Sequence, residues 1–494
     1  MEYGLLQVFE LNNLLAMMAG ILLGLFTGAT PGLTISMGMI IVLPLTFGLP
    51  PVTALAMLIG LYQAGMSGGA ISAILLNIPG TPAATVTALD GNPLARRGEP
   101  ERAIQVACIS SFLGGLIGLF FLAMVAPLLA QVALNFGPIE QFSLILVGMT
   151  LIAGLSQGTM VKGCVSAVVG LMLITIGMDP MVGTSRLTFG SLELMGGLSW
   201  LPVMIGGFAI PEVLRGIHAA GMETTQQISV LRIFKRISLA DLKRAYKSIL
   251  MGGLVGTGVG ALPGANAPVA VFLSYDLARR HAKNPDEFGK GAVEGIAAPE
   301  AANNAVAGGA MIPLLTLGIP GDTVTAILLG AFTIQGFSPG PLFFIENTDL
   351  IYAIFLVFLV VIILNLFTIL LLSPLLAQLA FMPKGILMPI IMVFCVVGSL
   401  LYRNNFVDVY LMVGAGLVAY VMQRYGFPFI PLILAMILGP HLERNFRLAL
   451  ILSSGDPLAF FASPISLTIL VFGAFLLVTT LRGQAAFAKE KGVG

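Results

Sequence analysis

The chain has 494 residues, of which 57% are hydrophobic and only 10% are charged, and its formal net charge at pH 7 is +1. Soluble domains carry about 25% charged residues, so this composition excludes an ordinary soluble protein. The basic residues lie in loops between apolar runs, and this arrangement argues against a nucleic-acid partner.

Long stretches without Asp, Glu, Lys or Arg run through the whole sequence. They cover residues 11–89, 103–139, 248–275, 350–383 and 457–481. Because a spanning helix needs about 20 apolar residues, these stretches predict an all-α polytopic membrane protein, and we expect roughly 11 to 13 membrane segments. The runs are continuous, whereas the strands of a membrane β-barrel alternate over about 10 residues, so a barrel is excluded.

Glycines spaced four residues apart lead into a Pro-Gly pair, and we call this arrangement a ladder. It occurs twice, and every residue of the second ladder lies the same number of positions after its counterpart in the first. The first ladder is Gly20, Gly24, Gly28 and Gly32 with Pro31, and the second is Gly252, Gly256, Gly260 and Gly264 with Pro263. On a helix this spacing leaves one stripe without side chains, which lets another backbone approach closely. Proline disfavours helix at the residue before it. Each ladder therefore predicts a tightly packed helix that breaks at Pro-Gly, and the pair predicts an internal repeat.

A second Pro-Gly break follows each ladder. The first reads Ile78-Pro79-Gly80-Thr81-Pro82, and the second reads Ile319-Pro320-Gly321-Asp322-Thr323. Irregular backbone at membrane depth is tolerated only where it is buried in protein or lines a water-filled cavity. Broken helices at corresponding places in two halves point to the binding site of a secondary transporter.

Four basic segments give the orientation of the chain, near residues 96–102, 215–247, 279–290 and 482–491, and by the positive-inside rule all four face the cytoplasm. In the first half the basic loop follows the second break. In the second half it follows the ladder, while the second break leads to the acidic segment 338–349. Matching features thus face opposite sides. This pattern predicts two inverted repeats, 1–215 and 245–494, joined by a cytoplasmic linker at 216–244 with an amphipathic helix.

The polar residues at the four breaks are candidates for an anion site, because freed amides and the N-termini of half helices favour negative charge. The alternative is that Pro-Gly only kinks each helix and that the Thr hydroxyls cap their own backbone. The candidate substrate-binding residues are Thr30, Pro31, Gly32, Thr34, Asn77, Pro79, Gly80, Thr81, Pro263, Gly264, Asn266, Pro320, Gly321 and Thr323.

A cation is expected beside the anion, since the breaks contain no Arg or Lys and their carbonyls and hydroxyls suit a hard ion such as sodium. The candidate ligands are Asp322, Glu300, Asn303, Asn304 and Thr325. Carboxylates inside a membrane usually face a cavity and a partner, so Asp322 and Glu300 could ligate sodium or carry a proton. The alternative places them in an interfacial loop. No other cofactor is expected.

An enzyme is not expected. Gly65-Met66-Ser67-Gly68 is similar to the serine motif of intramembrane proteases, but the three His residues lie in or beside polar segments. The glycines at 256–260 lack both a preceding strand and a following Lys-Ser/Thr, so they do not predict a nucleotide loop.

Several segments resemble the large membrane subunit of the tripartite tricarboxylate transporters, the TctA family, and the resemblance extends over nearly the whole chain. These segments are Ala-Thr-Pro-Gly-Leu-Thr at 29–34, Asn-Ile-Pro-Gly-Thr-Pro-Ala-Ala at 77–84, Leu-Asp-Gly-Asn-Pro-Leu-Ala at 89–95, Ala-Leu-Pro-Gly-Ala-Asn at 261–266, Pro-Glu-Ala-Ala-Asn-Asn at 299–304 and Gly-Ile-Pro-Gly-Asp at 318–322.

The resemblance implies a multi-pass subunit in the bacterial cytoplasmic (inner) membrane. Its partners would be a small membrane subunit of about four helices, a periplasmic substrate-binding protein that delivers a carboxylate, and membrane lipid. It implies that a carboxylate enters the cell by symport with a cation. We expect this cation to be sodium, and citrate is the default tricarboxylate. It also suggests kinship with elevator-type carriers that use paired re-entrant hairpins.

Three alternatives remain open at this point. A channel-like protein would fit the apolar segments, although channels often repeat a filter around a symmetric axis. A proton-coupled carboxylate permease would use the intramembrane carboxylates differently. A membrane scaffold would not need polar, broken segments inside apolar runs.

Overall fold

The computed structural model describes residues 7–155, 160–219, 238–379 and 384–490, and most of them are helical. The helices are, in chain order, α1 (Leu11–Ala29), α2 (Ile35–Val42), α3 (Pro51–Leu76), α4 (Ala84–Arg96), α5 (Pro100–Ala133), α6 (Pro138–Leu155), α7 (Met160–Ile174), α8 (Leu192–Met195), α9 (Trp200–Ala219), α10 (Leu239–Gly260), α11 (Ala267–His281), α12 (Val293–Leu317), α13 (Thr323–Ile334), α14 (Phe343–Glu346), α15 (Thr348–Leu379), α16 (Lys384–Arg403), α17 (Phe406–Arg424), α18 (Ile430–Leu452), α19 (Ala459–Ala462) and α20 (Pro464–Glu490). Short 3-10 turns lie at Leu43–Thr46 and Pro285–Glu287.

Strand structure in the described ranges is confined to one small hairpin. Strands β1 (Gly177–Met178) and β2 (Ser185–Arg186) pair antiparallel, with Gly177 opposite Arg186. The prediction of an all-α membrane protein is therefore confirmed.

Five of the described helices are long and apolar enough to cross a membrane. They are Leu11–Ala29, Pro51–Leu76, Pro100–Ala133, Thr348–Leu376 and Phe406–Arg424. Shorter apolar helices accompany them, among them Thr323–Ile334 and Pro138–Gly154. The number of complete passes and the inversion of the two repeats stay predictions.

The chain divides into two compact units. The first unit contains Met1–Ala130 and Glu212–Gly398, and the second contains Gln131–Pro211 and Ser399–Gly494. Each unit thus combines segments from both predicted halves. The predicted linker at 216–244 lies outside the described residues between 220 and 237, and α10 begins at Leu239.

The first unit is organised around the two ladder helices. Helix α1 packs chiefly against α3, and α10 packs chiefly against α12. Helix α15 lies against both α3 and α1, while α11 lies against α12 and α10. Helix α3 is almost wholly buried, and so is α12. These two buried helices therefore form the centre of the first unit.

The second unit is built from the remaining apolar helices. Helix α18 packs against α7 and α6, and α20 packs against α6. The loop after α7 is held by Asp179, whose carboxylate accepts hydrogen bonds from Arg447 and from the backbone amides of Met181 and Val182.

Candidate functional site

The helical glycines of each ladder face main-chain carbonyl oxygens of the neighbouring buried helix. A Cβ on any of these glycines would overlap that oxygen, so only glycine allows the observed approach. The pairs are Gly20 with Met57, Gly24 with Leu61, and Gly28 with Gly65 in the first ladder, and Gly252 with Ala298, Gly256 with Ala302, and Gly260 with Val306 in the second. Both ladders therefore use the same packing, which supports the predicted repeat.

The first Pro-Gly break of each half ends its ladder helix as the sequence predicts. Gly32 has a φ of 89° and Gly264 has a φ of 83°, a left-handed conformation that residues with side chains rarely adopt. A new helix begins shortly after each glycine. Thr34 caps α2 by accepting a hydrogen bond from the Met37 amide at 3.2 Å, and Asn266 precedes α11 without a side-chain cap.

The second Pro-Gly break of each half also starts from a left-handed residue. Asn77 ends α3 with a φ of 58°, and Gly318 ends α12 with a φ of 69°. The chain then packs against the ladder helix of the same half. A Cβ on Gly80 would meet the carbonyl oxygen of Gly28, and one on Gly321 would meet that of Gly260.

The two breaks of each half consequently lie side by side. In the second half the contact includes a backbone hydrogen bond, in which the Gly264 amide donates to the Gly321 carbonyl at 2.8 Å. In the first half the contact is the close approach of Gly80 to Gly28. A new helix follows each of the four breaks, at Ile35, Ala84, Ala267 and Thr323.

The hydroxyls and amides predicted at the breaks have different surroundings. Thr30 donates to the Phe26 carbonyl at 2.7 Å, which is the backbone capping expected under the alternative reading. Thr81 is 6% exposed, and in the described part of the chain its hydroxyl has no hydrogen-bond partner. Asn77 is exposed. Of these residues, Thr81 therefore keeps a buried polar group available to a ligand.

Asp322 occupies the position that corresponds to Thr81 in the second half, and it caps α13. Its carboxylate accepts from the Thr325 amide at 2.8 Å and from the Thr325 hydroxyl at 2.7 Å, and that hydroxyl also accepts from the Asp322 amide. The Tyr62 hydroxyl of α3 donates to its other oxygen at 2.6 Å. A carboxylate has about four lone-pair positions, so capacity for a cation remains.

Glu300 lies inside helix α12 and is 1% exposed, so it does not belong to an interfacial loop. Its two carboxylate oxygens accept from the hydroxyls of Thr87, at 2.5 Å, and Ser111, at 2.9 Å. Neither partner carries a positive charge. The site is therefore suited to holding a proton or a small cation.

Asn303 and Asn304 belong to a buried group of polar side chains that we call the amide cluster: Gln63, Ser67, Asn303, Asn304 and Asn365. The Asn304 side-chain oxygen accepts from Ser67 at 2.8 Å and from Gln63 at 3.2 Å. Asn365 donates to the Ser67 hydroxyl at 3.1 Å, and Asn303 donates to the Met66 carbonyl at 2.7 Å. The cluster thus connects α3, α12 and α15.

The predicted cation ligands form two groups, and no hydrogen bond described in the structured ranges joins one group to the other. Asn304 donates to the main-chain carbonyl of Glu300 at 3.1 Å, so these two residues lie together on α12. Asp322 and Thr325 lie together at the start of α13. Helix α3 touches both groups through consecutive residues, because Tyr62 contacts Asp322 and Gln63 contacts Asn304.

Several polar residues at these sites were not among the predicted ones. Gln63 and Asn365 are isolated amides in apolar helices, and a buried polar residue of this kind is by itself a signal of function. Asp90 is fully buried and accepts from the Tyr275 hydroxyl and from two backbone amides just before α12. Its hydrogen-bond partners are distant in sequence. The only sequence signal for a role of Asp90 was therefore the presence of a carboxylate in an apolar tract.

A pocket of about 880 Å³ in the first unit lies elsewhere. It is lined by the beginnings of α1 and α3 and by the segment around α14, and it contains none of the predicted site residues. Its ionisable side chains are the acids Glu10, Glu346 and Asp349. This charge disfavours a carboxylate, so the pocket is a poor candidate for the anion site.

Comparison with known proteins agrees with the motifs. Residues 14–434 match the model of the family described as "Tripartite tricarboxylate transporter TctA family". An uncharacterised 52.8 kDa protein in the TAR-I ttuC' 3' region of Agrobacterium vitis is 37% identical over 483 residues, which cover 97% of this chain and 95% of that protein. An uncharacterised protein in the TAR-II ttuC' 3' region of the same organism is 39% identical over 229 residues, which cover 46% of this chain and 93% of that protein. No solved structure matches the chain.

Proposed function

Because the chain belongs to the tripartite tricarboxylate transporter TctA family, we propose that it is the large membrane subunit that moves a carboxylate into the cell with a sodium gradient. A tricarboxylate such as citrate is the default substrate. The protein is a multi-pass membrane protein of a transporter family, and we place it in the bacterial cytoplasmic (inner) membrane. It acts as a carrier and not as an enzyme.

The observation that supports this function best is that the two Pro-Gly breaks of each half lie side by side in the first unit. Four helices begin at these breaks, and a helix N-terminus favours an anion through its free amides and its dipole. No Arg or Lys lies within the breaks. The carboxylate groups are therefore bound by amides and hydroxyls, with Thr81 as a buried hydroxyl that is free to donate.

The coupling cation is assigned to acidic and amide oxygens beside these breaks. Asp322 lies directly in the second break of the second half, and Thr325 adds its hydroxyl. Glu300, Asn303 and Asn304 supply buried oxygens on α12. A bound cation would reduce the electrostatic cost of holding a multiply charged anion in a membrane protein without basic ligands.

The first unit is the moving part in this proposal. It contains every residue assigned to substrate or cation, whereas the second unit contains none of them. An elevator-type movement of a bundle that carries both ligands against a scaffold explains why the site residues are confined to one unit. The compact unit, and not the sequence half, is then the body that moves.

The partners follow from the family. A small membrane subunit of about four helices would complete the membrane part, and a periplasmic substrate-binding protein would deliver the carboxylate. We assign no residues of this chain to either contact.

One rival function has a specific observation in its favour. Glu300 is bonded to two hydroxyls and to no cationic side chain among the described residues, which also suits a proton carrier. A proton-coupled or channel-like carboxylate permease would then replace sodium symport. Two measurements distinguish these functions. One is the sodium dependence of uptake, and the other is the accumulation of the carboxylate against its own concentration gradient.

The assignment of the breaks is tested by uptake of labelled carboxylate after replacing Pro79-Gly80 or Pro320-Gly321 with Ala-Ala. We expect uptake to be lost for two reasons. A Cβ in place of Gly80 or Gly321 would meet the carbonyl oxygen of Gly28 or Gly260 in the ladder helix. Without the proline, the amides of the break can return to a helix. Pro79→Ala alone keeps the close packing of Gly80 and should still reduce uptake. Membrane insertion is measured in parallel.

Two replacements outside the breaks serve as matched controls. Pro127 lies inside helix α5, and Gly258 faces open space, so Pro127→Ala and Gly258→Ala should transport normally. Normal uptake by the break variants themselves would remove the breaks from the site.

A further inference from the structure

Three side-chain oxygens of the amide cluster receive no hydrogen bond from a donor in the described residues. In the described residues, the side-chain oxygens of Gln63, Asn303 and Asn365 are buried and accept no hydrogen bond. The exposed fractions of the three residues are 1%, 1% and 5%. Buried polar groups in proteins nearly always have a partner, so three orphaned oxygens in one cluster need an explanation.

Exchanging the oxygen and nitrogen of these amides does not remove the imbalance. The nitrogen of each amide already donates: Gln63 to Asn304, Asn365 to Ser67, and Asn303 to the Met66 carbonyl. Rotating an amide by half a turn would break that bond and leave a buried NH2 group without an acceptor. The unsatisfied oxygens therefore do not result from the way in which amide oxygen and nitrogen are assigned.

The chemistry of the cluster narrows what could satisfy it. Amide oxygens do not take up a proton near neutral pH, and the hydrogen bonds described within the cluster include no Lys, Arg or His. The main-chain carbonyl of Glu300 accepts a hydrogen bond from Asn304, so Glu300 lies one helical turn before this member of the cluster. Neutral amide oxygens with no carboxylate among them favour a monovalent cation, since divalent cations usually require direct carboxylate ligands.

We propose that the amide cluster binds a monovalent cation, sodium being the first candidate, through the side-chain oxygens of Gln63, Asn303 and Asn365. The site is distinct from Asp322, whose carboxylate is bonded to Tyr62 and Thr325. Cation binding would connect α3, α12 and α15. A role of this ion in coupling rests on the proposed function, whereas its binding does not.

The test measures the thermal midpoint of the purified full-length chain at rising sodium, lithium or potassium, with choline keeping the ionic strength constant and with no carboxylate present. All variants carry Asp322→Asn, which removes the charge of the other proposed cation site. Asn365→Leu and Gln63→Met each replace one ligand by an apolar side chain of similar size. Thr368→Val is the control, because Thr368 lies one turn away on α15 and its hydroxyl donates to the Leu364 carbonyl.

We expect Asp322→Asn, alone or with Thr368→Val, to show a saturable rise of the midpoint with sodium. Adding Asn365→Leu or Gln63→Met should remove this rise or shift its half-maximal concentration by at least about tenfold. An apolar replacement of an unsatisfied amide can itself raise the midpoint, so the readout is the response to the cation and not the absolute midpoint.

Two results would overturn the proposal. One is an equal cation response in the Asn365→Leu, Gln63→Met and Thr368→Val variants. The other is no response to any of the three cations in the Asp322→Asn protein, which would leave water as the partner of these oxygens. Uptake by the unaltered protein is measured separately. Sodium-independent uptake together with cation binding at the cluster would contradict the proposed coupling but leave the cluster site standing.

Discussion

Asp322 combines a structural task with the capacity for a ligand. Its side chain caps α13, and Thr325 returns a hydrogen bond to its backbone, so the pair forms a capping box. An Asp directly before an apolar run is a helix N-cap signal, so the cap could have been predicted, but the box could not, because its usual Glu or Gln is replaced by Thr325. The donation from Tyr62 could not, because that residue is distant in sequence and meets Asp322 only through the packing of α3.

Asp322→Asn separates the two tasks. Asparagine caps helices about as well as aspartate, so we expect the variant to insert and to keep α13. Loss of the negative charge should raise the sodium concentration for half-maximal uptake by at least about tenfold. Asp276→Asn is the control, because Asp276 pairs with Arg280 at an exposed surface. An unchanged sodium dependence in Asp322→Asn would remove its role as a cation ligand.

Glu300 shows where sequence patterns leave a real ambiguity. It follows Pro299, and proline is a common sign of a loop, so the sequence allowed an interfacial position as well as a buried one. Helix α12 instead continues through both Pro299 and Pro313. Packing of α12 against α10 stabilises a helix that local preferences alone would interrupt. The buried position depends on that tertiary contact.

At the scale of whole elements, the breaks were the most predictable feature. Proline and glycine restrict or free the backbone locally, so Pro31-Gly32 and Pro263-Gly264 mark the ends of helices without any knowledge of the fold. The glycine ladders likewise predicted a close backbone contact. Which helix makes that contact was not predictable, because α3 and α12 are chosen by packing across the unit.

The ladder contact leads to a prediction with a control in the same helix. A side chain at Gly256 would meet the Ala302 carbonyl, whereas Gly258 faces open space. We expect Gly256→Leu to destabilise the first unit by about 1–3 kcal/mol or more, the range of overpacked cores. Gly258→Leu should be tolerated, since leucine is the better helix former.

The measurement is the thermal midpoint and the yield of monodisperse protein in detergent for the two variants. A lower midpoint confined to Gly256→Leu supports the observed packing. Equal midpoints for Gly256→Leu and Gly258→Leu would contradict the contact between α10 and α12.

At the scale of the whole molecule, the sequence predicted an all-α membrane protein but not its compact units. The halves at 1–215 and 245–494 were predicted from the repeated motifs, which indicate internal similarity, and from the basic loops, which indicate orientation in the membrane. The compact units are instead defined by contacts between residues, and each unit contains segments from both halves. Long-range packing between segments hundreds of residues apart leaves no local pattern, so the two compact units could not be recognised from the sequence.

The central claim is that this chain imports a carboxylate by using a sodium gradient. We would reconstitute it in proteoliposomes with its small membrane partner and supply its binding protein outside, together with labelled citrate or another carboxylate shown to bind that protein. The account predicts accumulation above the outside concentration, and only with an inward sodium gradient. Equal uptake with and without that gradient would contradict sodium coupling and remove Asp322, Glu300 and the neighbouring amides from the coupling site.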